Sequence, residues 1–250
     1  MRMICKCRGF TLAEVLVTLG IIGVVAAMTL SAVISNYKKY VTANRLKHVY
    51  SVLKNAELLS IQENGDMRGW DFLRTDFVPT YYFPYLKDLK CNFHNTRVDI
   101  KSSKGVVATT ITKGTKKVCL ANGTMIVGYT VSGFHGAVVF VDLNGPKTPN
   151  ILGKDVFMFL INRPIYKSSD YRTSSYYIVP KCPAGLSTCF PGNYHSDKGY
   201  YWNGDEESLL GFCTGEGLDD LPALVTKGNS CAYMIERAGW KFPDNYPIKL

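Results

Sequence analysis

Near the start of this chain, the 25 residues from Phe10 to Ile34 carry a single charge, that of Glu14. At about 1.5 Å per residue such a run spans roughly 37 Å as a helix, enough to cross a bilayer core of about 30 Å. A segment this apolar must end up in lipid or among other apolar helices, where only a helix satisfies its own backbone. It also raises a difficulty, because a carboxylate five residues into such a run is costly to bury unless something pairs with it. Ahead of the run lies a short leader, Met1 to Arg8, with Arg2, Lys6 and Arg8 as its basic residues. Basic residues just before a membrane segment hold the N-terminus in the cytoplasm and send the rest of the chain outward.

The junction between leader and run is specific. Lys6-Cys7-Arg8-Gly9-Phe10-Thr11-Leu12-Ala13-Glu14, followed by the apolar stretch, resembles the prepilin-peptidase signal of type IV pilins and type II secretion pseudopilins. The resemblance implies cleavage between Gly9 and Phe10 by a prepilin peptidase and methylation of the new Phe10 amine. It also gives Glu14 a role in assembly, offsetting the N-terminal charge of a neighbouring subunit. That role answers the cost of the carboxylate, since a buried charge meeting a free amine is compensated. Gly9, with no side chain, lets the backbone enter a tight peptidase site. A secretory signal peptide fits less well: a glutamate sits early in its apolar region, and Val25-Ala26-Ala27 and Ser31-Ala32-Val33 are poor A-x-A sites. A lipoprotein signal places its cysteine after the apolar run, whereas Cys5 and Cys7 precede it.

The cysteines point to the same compartment. Cys5 and Cys7 leave with the leader, and the remaining six, Cys91, Cys119, Cys182, Cys189, Cys213 and Cys231, all lie in the exported part. An even number in an oxidising compartment reads as three disulfides. Proximity in sequence favours Cys91–Cys119, Cys182–Cys189 and Cys213–Cys231, although six cysteines allow 15 pairings. Zinc has less support: there is no C-x-x-C pair, and His48, His94, His135 and His195 show no ligand spacing. Without the three leader charges, 26 basic residues stand against 20 acidic ones. They are scattered rather than striped, which is weak support for nucleic-acid binding.

Four spans follow: residues 1–9 as leader, 10–34 as transmembrane or filament-core helix, 35–63 as its amphipathic continuation, and 64–250 as the exported head. Tyr37 to Tyr40 bring tyrosines and lysines suited to a headgroup boundary. From Val41 to Gln62 the periodicity predicts a helix whose stripe of Leu46, Val49, Tyr50, Leu53 and Ala56 packs on the protein's own sheet. Arg45, Lys47, Lys54 and Glu57 lie mostly off that stripe, and Asn64-Gly65 supplies the stop. The pilin family often has a proline about twenty residues into this helix; Ser31 stands there instead, leaving Gly20 and Gly23 as weak points. Gly23 and Ala27, four apart, form a small face that lets helices approach closely.

Beyond the helix, residues 66–104 read as irregular and aromatic. Lys116–Ala121, Asn122-Gly123 and Thr124–Tyr129 predict a hairpin on a type I′ turn. Gly136–Val141 and Val156–Ile161 predict two further strands. The expected fold is α+β and pilin-like, with a long N-terminal helix packed on an antiparallel sheet of about four strands. A disulfide-rich loop region follows it, ending in a helix from Cys231 that stops at Gly239.

Between the third and fourth strands runs Asp142-Leu143-Asn144-Gly145, with Asp155 closing the segment. Oxygen ligands two residues apart before a sharp turn begin like a calcium loop, with Asp142, Asn144 and Asp155 as candidate ligands. The later oxygens and the bidentate glutamate of an EF-hand are missing. A purely structural connection, with Asp142 and Asn144 bonded to their own backbone, explains the same residues. The segment also resembles D-x-N-G-x-x-x-P-N-x-x-G-x-D stretches of pilin-like proteins associated with type II secretion. Acidic pairs at Asp205–Glu207 and Asp219-Asp220 read as solvated loops. No G-x-S-x-G is present and no histidine sits near a nucleophile motif.

The expectation is a non-enzymatic, prepilin-like structural subunit of a type II secretion pseudopilus or type IV pilus, with no cofactor unless the loop takes calcium. Its partners would be the prepilin peptidase, other subunits and an inner-membrane assembly platform. It would span the cytoplasmic membrane once, head outward, before joining a periplasmic pseudopilus or surface pilus. The alternative is a minor or tip pilin whose head binds DNA, an adhesion target or a secreted substrate. Nucleic acid enters only under that alternative. A membrane-anchored enzyme would need a polar catalytic cleft.

Overall fold

The structure is a computed structural model that describes residues 11–87, 93, 95–130, 136–162, 185–188, 206–214 and 230–250. Helix α1 runs unbroken over 53 residues, Leu12–Asn64. It starts on a capping box: the Glu14 N–H donates to the Thr11 hydroxyl, and the Glu14 carboxylate accepts from the Thr11 N–H. It stops where the Asn-Gly pair predicts, at Gly65 with φ 76°. Leu46, Val49, Leu53 and Ala56 are buried as the stripe requires, with Tyr50 half-buried beside them. One expectation fails here. Glu57 lies four residues after Leu53, on the buried face, and is 6% exposed.

The sheet holds strands β3 (Lys117–Cys119), β4 (Met125–Thr130), β5 (Gly136–Asp142), β6 (Val156–Asn162) and β7 (Gly185–Ser187), antiparallel and in that order. The expected four strands are all present. The fifth, β7, pairs Leu186 with Ile161 at the edge. A separate hairpin, β1 (Val98–Lys101) with β2 (Val107–Ile111), forms in and just beyond the stretch read as irregular. Earlier in that stretch stands a short helix, α2 (Phe77–Tyr81). Later come α3 (Glu206–Thr214) and α4 (Cys231–Arg237). Glu206 and Glu207, read as loop, therefore open a helix.

The β3–β4 turn departs from type I′. Gly123 alone takes a positive φ, 83°, and Asn122 does not. The Gly123 N–H donates to the Leu120 carbonyl, and the Leu120 N–H donates to the Thr124 carbonyl, each at 2.9 Å. That is a three-residue loop, a type I turn closed by a glycine bulge. The Asn122 side chain takes the Thr124 N–H at 3.0 Å instead of adopting the left-handed conformation itself.

Both faces of the sheet are covered. One face, including Val139, Val141, Phe157 and Phe159, meets α1, α2 and α4; the other, including Val138, Phe140, Met158 and Leu160, meets the β1–β2 hairpin. That is why β6 reads as an uninterrupted apolar run rather than an alternation. Helix α2 lies directly on β4. A Cβ placed on Gly128 would fall 2.2 Å from the Val78 Cβ, so only glycine permits this approach. Trp70 stacks on Tyr81 with centroids 4.5 Å apart, and Phe72 on Phe77 at the same distance, filling the space between α1 and α2.

Candidate functional site

Three places in the molecule carry chemistry that the core does not explain. The first is the N-terminal part of α1. Every residue from Thr11 to Ile34 is exposed, on all sides of the helix, and Ser35 is the first to be shielded. Leu16, Val17, Leu19, Ile21, Ile22 and Val24 point in successive directions and all are exposed. The helix is long and apolar enough there to cross a membrane. Within it, the Glu14 Oε2 accepts from both the N–H and the hydroxyl of Thr11, each at 2.8 Å. Gly9 and Phe10, the expected cleavage pair, lie outside the described residues.

The second place is Glu57, which pattern reading placed off the stripe. Its Oε2 accepts from the Tyr82 hydroxyl at 2.7 Å and from the Leu186 N–H, while Oε1 meets Lys54 Nζ at 3.0 Å. One carboxylate thus joins α1 to the segment after α2 and to the edge strand β7. Burial, then the charge of Glu57, pushes the Tyr82 phenol well above its ordinary range. The signal that finds this residue is the four-residue step from Leu53 onto the buried face.

The third place is the connection from β5 to β6. The Asp142 Oδ1 accepts the Asn144 N–H at 3.2 Å, the local bond the structural reading expects. Asp155 gathers the rest: its Oδ1 accepts from the Ile151 N–H at 2.6 Å, and its Oδ2 from the Asn150 N–H at 3.0 Å and Asn144 Nδ2 at 3.2 Å. Asn144 is thereby held to both Asp142 and Asp155, and Asn150, part of the same sequence pattern but not a candidate ligand, joins them. Asn150 takes φ 50°, a left-handed conformation that asparagine tolerates. Among the described residues neither aspartate forms an ion pair. Burial, then the neighbouring Asp155 charge, pushes the Asp142 carboxyl up to about 8. Burial also raises Asp155, against the bonds it accepts from Ile151, Asn150 and Asn144. Among the described residues, three buried oxygens in this connection, Asp142 Oδ2, Asn144 Oδ1 and Asn150 Oδ1, have no hydrogen-bond partner.

Of the cysteines, Cys213 and Cys231 form the expected disulfide, tying α3 to the start of α4. Cys119 is also disulfide-bonded. Cys91, Cys182 and Cys189 lie outside the described residues.

Residues 32–177, more than half the chain, match a family described as a family of unknown function, DUF6613. The chain belongs to that family. Residues 4–30 match the prokaryotic N-terminal methylation motif, so a prepilin-type signal is present there. The family of that motif consists of structural pilin subunits, and the motif with the apolar helix behind it supports a pilin-like precursor. The motif implies processing by a prepilin peptidase and assembly with other pilin subunits. Comparison with curated proteins and with solved structures found no match.

Proposed function

We propose that this chain is a structural filament subunit of a type II secretion pseudopilus or type IV pilus. On this reading it enters the cytoplasmic membrane as a precursor, is cut after Gly9 and methylated on Phe10, and is lifted into a filament by a membrane assembly platform. The observation that carries this is the unbroken exposure of residues 11–34 around the whole circumference of α1. A soluble partner groove would cover one stripe. A helix apolar on every side calls for lipid first, and then for a bundle of like helices. Filament assembly supplies both in turn.

Glu14 is the residue that tests it. Its carboxylate already caps its own helix through Thr11, so replacing it with alanine removes a cap and a charge together. Glutamine separates the two, because it keeps the capping box and loses only the charge. Glu14→Gln is expected to insert normally and to be cut to an N-methylated Phe10, yet to be nearly absent from sheared filaments. An unpaired amine then remains among apolar helices. The measurement is the ratio of sheared-filament to membrane-bound protein, with the mature mass checked by mass spectrometry. Equal ratios for wild type and Glu14→Gln would reduce Glu14 to a capping residue. A mature N-terminus at Met1 or beyond Ala27 would overturn the whole reading. A rare tip subunit would lose incorporation equally, but with little fall in total filament yield.

A further inference from the structure

The β5–β6 connection gathers buried acceptor oxygens that the protein's own donors do not reach. Among the described residues, five buried side-chain oxygen or nitrogen atoms lack a hydrogen bond, and three of them lie in this one loop. All three are oxygens: one carboxylate oxygen and two amide oxygens. Asp142 is 1% exposed and Asn150 5% exposed. An unsatisfied buried acceptor carries the full penalty of its lost hydration. Three together in one loop, beside two carboxylates without a lysine or arginine in ion-pair contact, are hard to reconcile with a purely structural turn.

We propose that Asp142 Oδ2, Asn144 Oδ1, Asn150 Oδ1 and the Asp155 carboxylate form a calcium site. Hydrogen bonds join these four residues into one cluster. Asn144 Nδ2 and the Asn150 N–H both reach Asp155 Oδ2, while the Asn144 N–H reaches Asp142 Oδ1. Calcium takes 6–8 oxygens, carboxylate, amide and water alike, in an adaptable geometry. Magnesium demands a stricter octahedron, and the loop offers neither the sulfur nor the imidazole that zinc prefers. The ion has a way in: a cavity of about 310 Å³ opens onto Asn144 and Asp155 and is bordered by Lys38, Val41, Thr42 and Arg45 of α1. With two carboxylates, and with Lys38, Arg45 and Lys154 at the rim, the site should be weak, with a dissociation constant on the order of 10⁻⁴–10⁻³ M. The inference does not depend on filament assembly. It concerns binding by the single chain, so its failure leaves the subunit reading untouched.

The test uses the full chain in detergent micelles, stripped with chelator and titrated with calcium chloride, magnesium chloride or sodium chloride at matched ionic strength. Calorimetry should show one calcium bound per chain, and thermal unfolding should rise by about 3–6 °C once calcium exceeds its dissociation constant tenfold. Magnesium should give less than half that rise, and sodium none. Asp142→Asn keeps the shape and removes a buried charge. It should fold, melt no lower than the chelated wild type, and lose the calcium rise. Asn150→Ala should weaken calcium binding at least tenfold. Overturning results are equal rises with sodium and calcium, no calcium heat at 10 mM, or an Asp142→Asn variant that responds like the wild type. The second of these, with a stabilised Asp142→Asn, would mark Asp142 as a buried neutral acid within an ordinary turn.

Discussion

Helix α1 is one continuous element with two unlike halves. From Thr11 to Ile34 every residue is exposed; from Ala43 to Ser60 it buries Ala43, Leu46, Val49, Leu53, Ala56, Glu57 and Ser60 against the head. Each half holds a glutamate in apolar surroundings. Glu57 is fully engaged, with partners from α1, the segment after α2 and β7. Among the described residues Glu14 is bonded to Thr11 alone, three residues away. The fold therefore completes one half within a single chain and leaves the other for lipid or for other chains. The same backbone geometry serves both because an α-helix closes its own hydrogen bonds in either environment. What differs is the side-chain pattern: all-round apolar in the first half and one-sided in the second.

The sharpest way to break this comparison is to make the same substitution in each half. Leu53 is fully buried, so Leu53→Ala should cost the head about 2–5 kcal/mol in unfolding free energy. Leu19 touches nothing in the head, and Leu19→Ala should leave that free energy within about 0.5 kcal/mol of wild type. Denaturant unfolding of the full chain in micelles, followed by near-ultraviolet circular dichroism, reads both. A matching loss at Leu19 would mean that the exposed half supports the head, and the division would fall.

The next effect concerns the two glutamates. Glu57→Leu leaves the Tyr82 hydroxyl and the Leu186 N–H without their acceptor, at about 1–3 kcal/mol for each donor stranded in the interior. Glu57→Gln keeps one acceptor and should lose less. Neither change should alter cleavage after Gly9. If Glu57→Leu proves neutral in the same unfolding experiment, the carboxylate does not pin β7 to α1. The contrast with Glu14 would then lose its meaning.

The parts of the molecule that were legible in the sequence are those with a strong period. The long helix, its stop at Gly65, strands β3 to β6 and helix α4 all carry apolar patterns that survive tertiary packing. Strand β7 did not, because Gly185-Leu186-Ser187 is too short and too small to show an alternation. The β1–β2 hairpin was hidden by Asp99, Lys101 and Thr109, residues common to loops and to exposed strand faces. Glu57 was misplaced because charge outweighed position: its spacing from Leu53 puts it on the stripe, but a carboxylate there makes sense only once Tyr82 and Leu186 are known. Asn150 was visible only as a member of the D-x-N-G-x-x-x-P-N-x-x-G-x-D pattern, not as a partner of Asp155. Its bond to Asp155 comes through a left-handed backbone that the pattern does not announce. Asp142 and Asn144 were legible because aspartate and asparagine before a glycine mark a turn whether or not an ion sits in it, and Asp155 because it closes the same segment just before strand β6.

The smallest effect on the isolated chain is expected at Gly23. A Cβ built there meets nothing within 4 Å, so Gly23→Leu should leave the single chain's fold and cleavage unchanged. Glycine and alanine four residues apart matter only if another helix approaches that face, since small residues let backbones come close. In a filament whose helices pack along Gly23 and Ala27, the leucine holds the helices apart, and sheared-filament yield should fall several-fold. That loss should be milder than for Glu14→Gln, because a misfitted side chain can repack and an unpaired charge cannot. Gly20→Leu serves as the control: it lies three residues earlier in the same exposed run and also meets nothing within 4 Å, but its residue four later, Val24, is not small. Equal losses at Gly20 and Gly23 would point to a general need for thin or flexible helix in this region. A loss confined to Gly23 would assign the contact to one face, and the exposed half of α1 would then have a defined side that neighbouring helices meet.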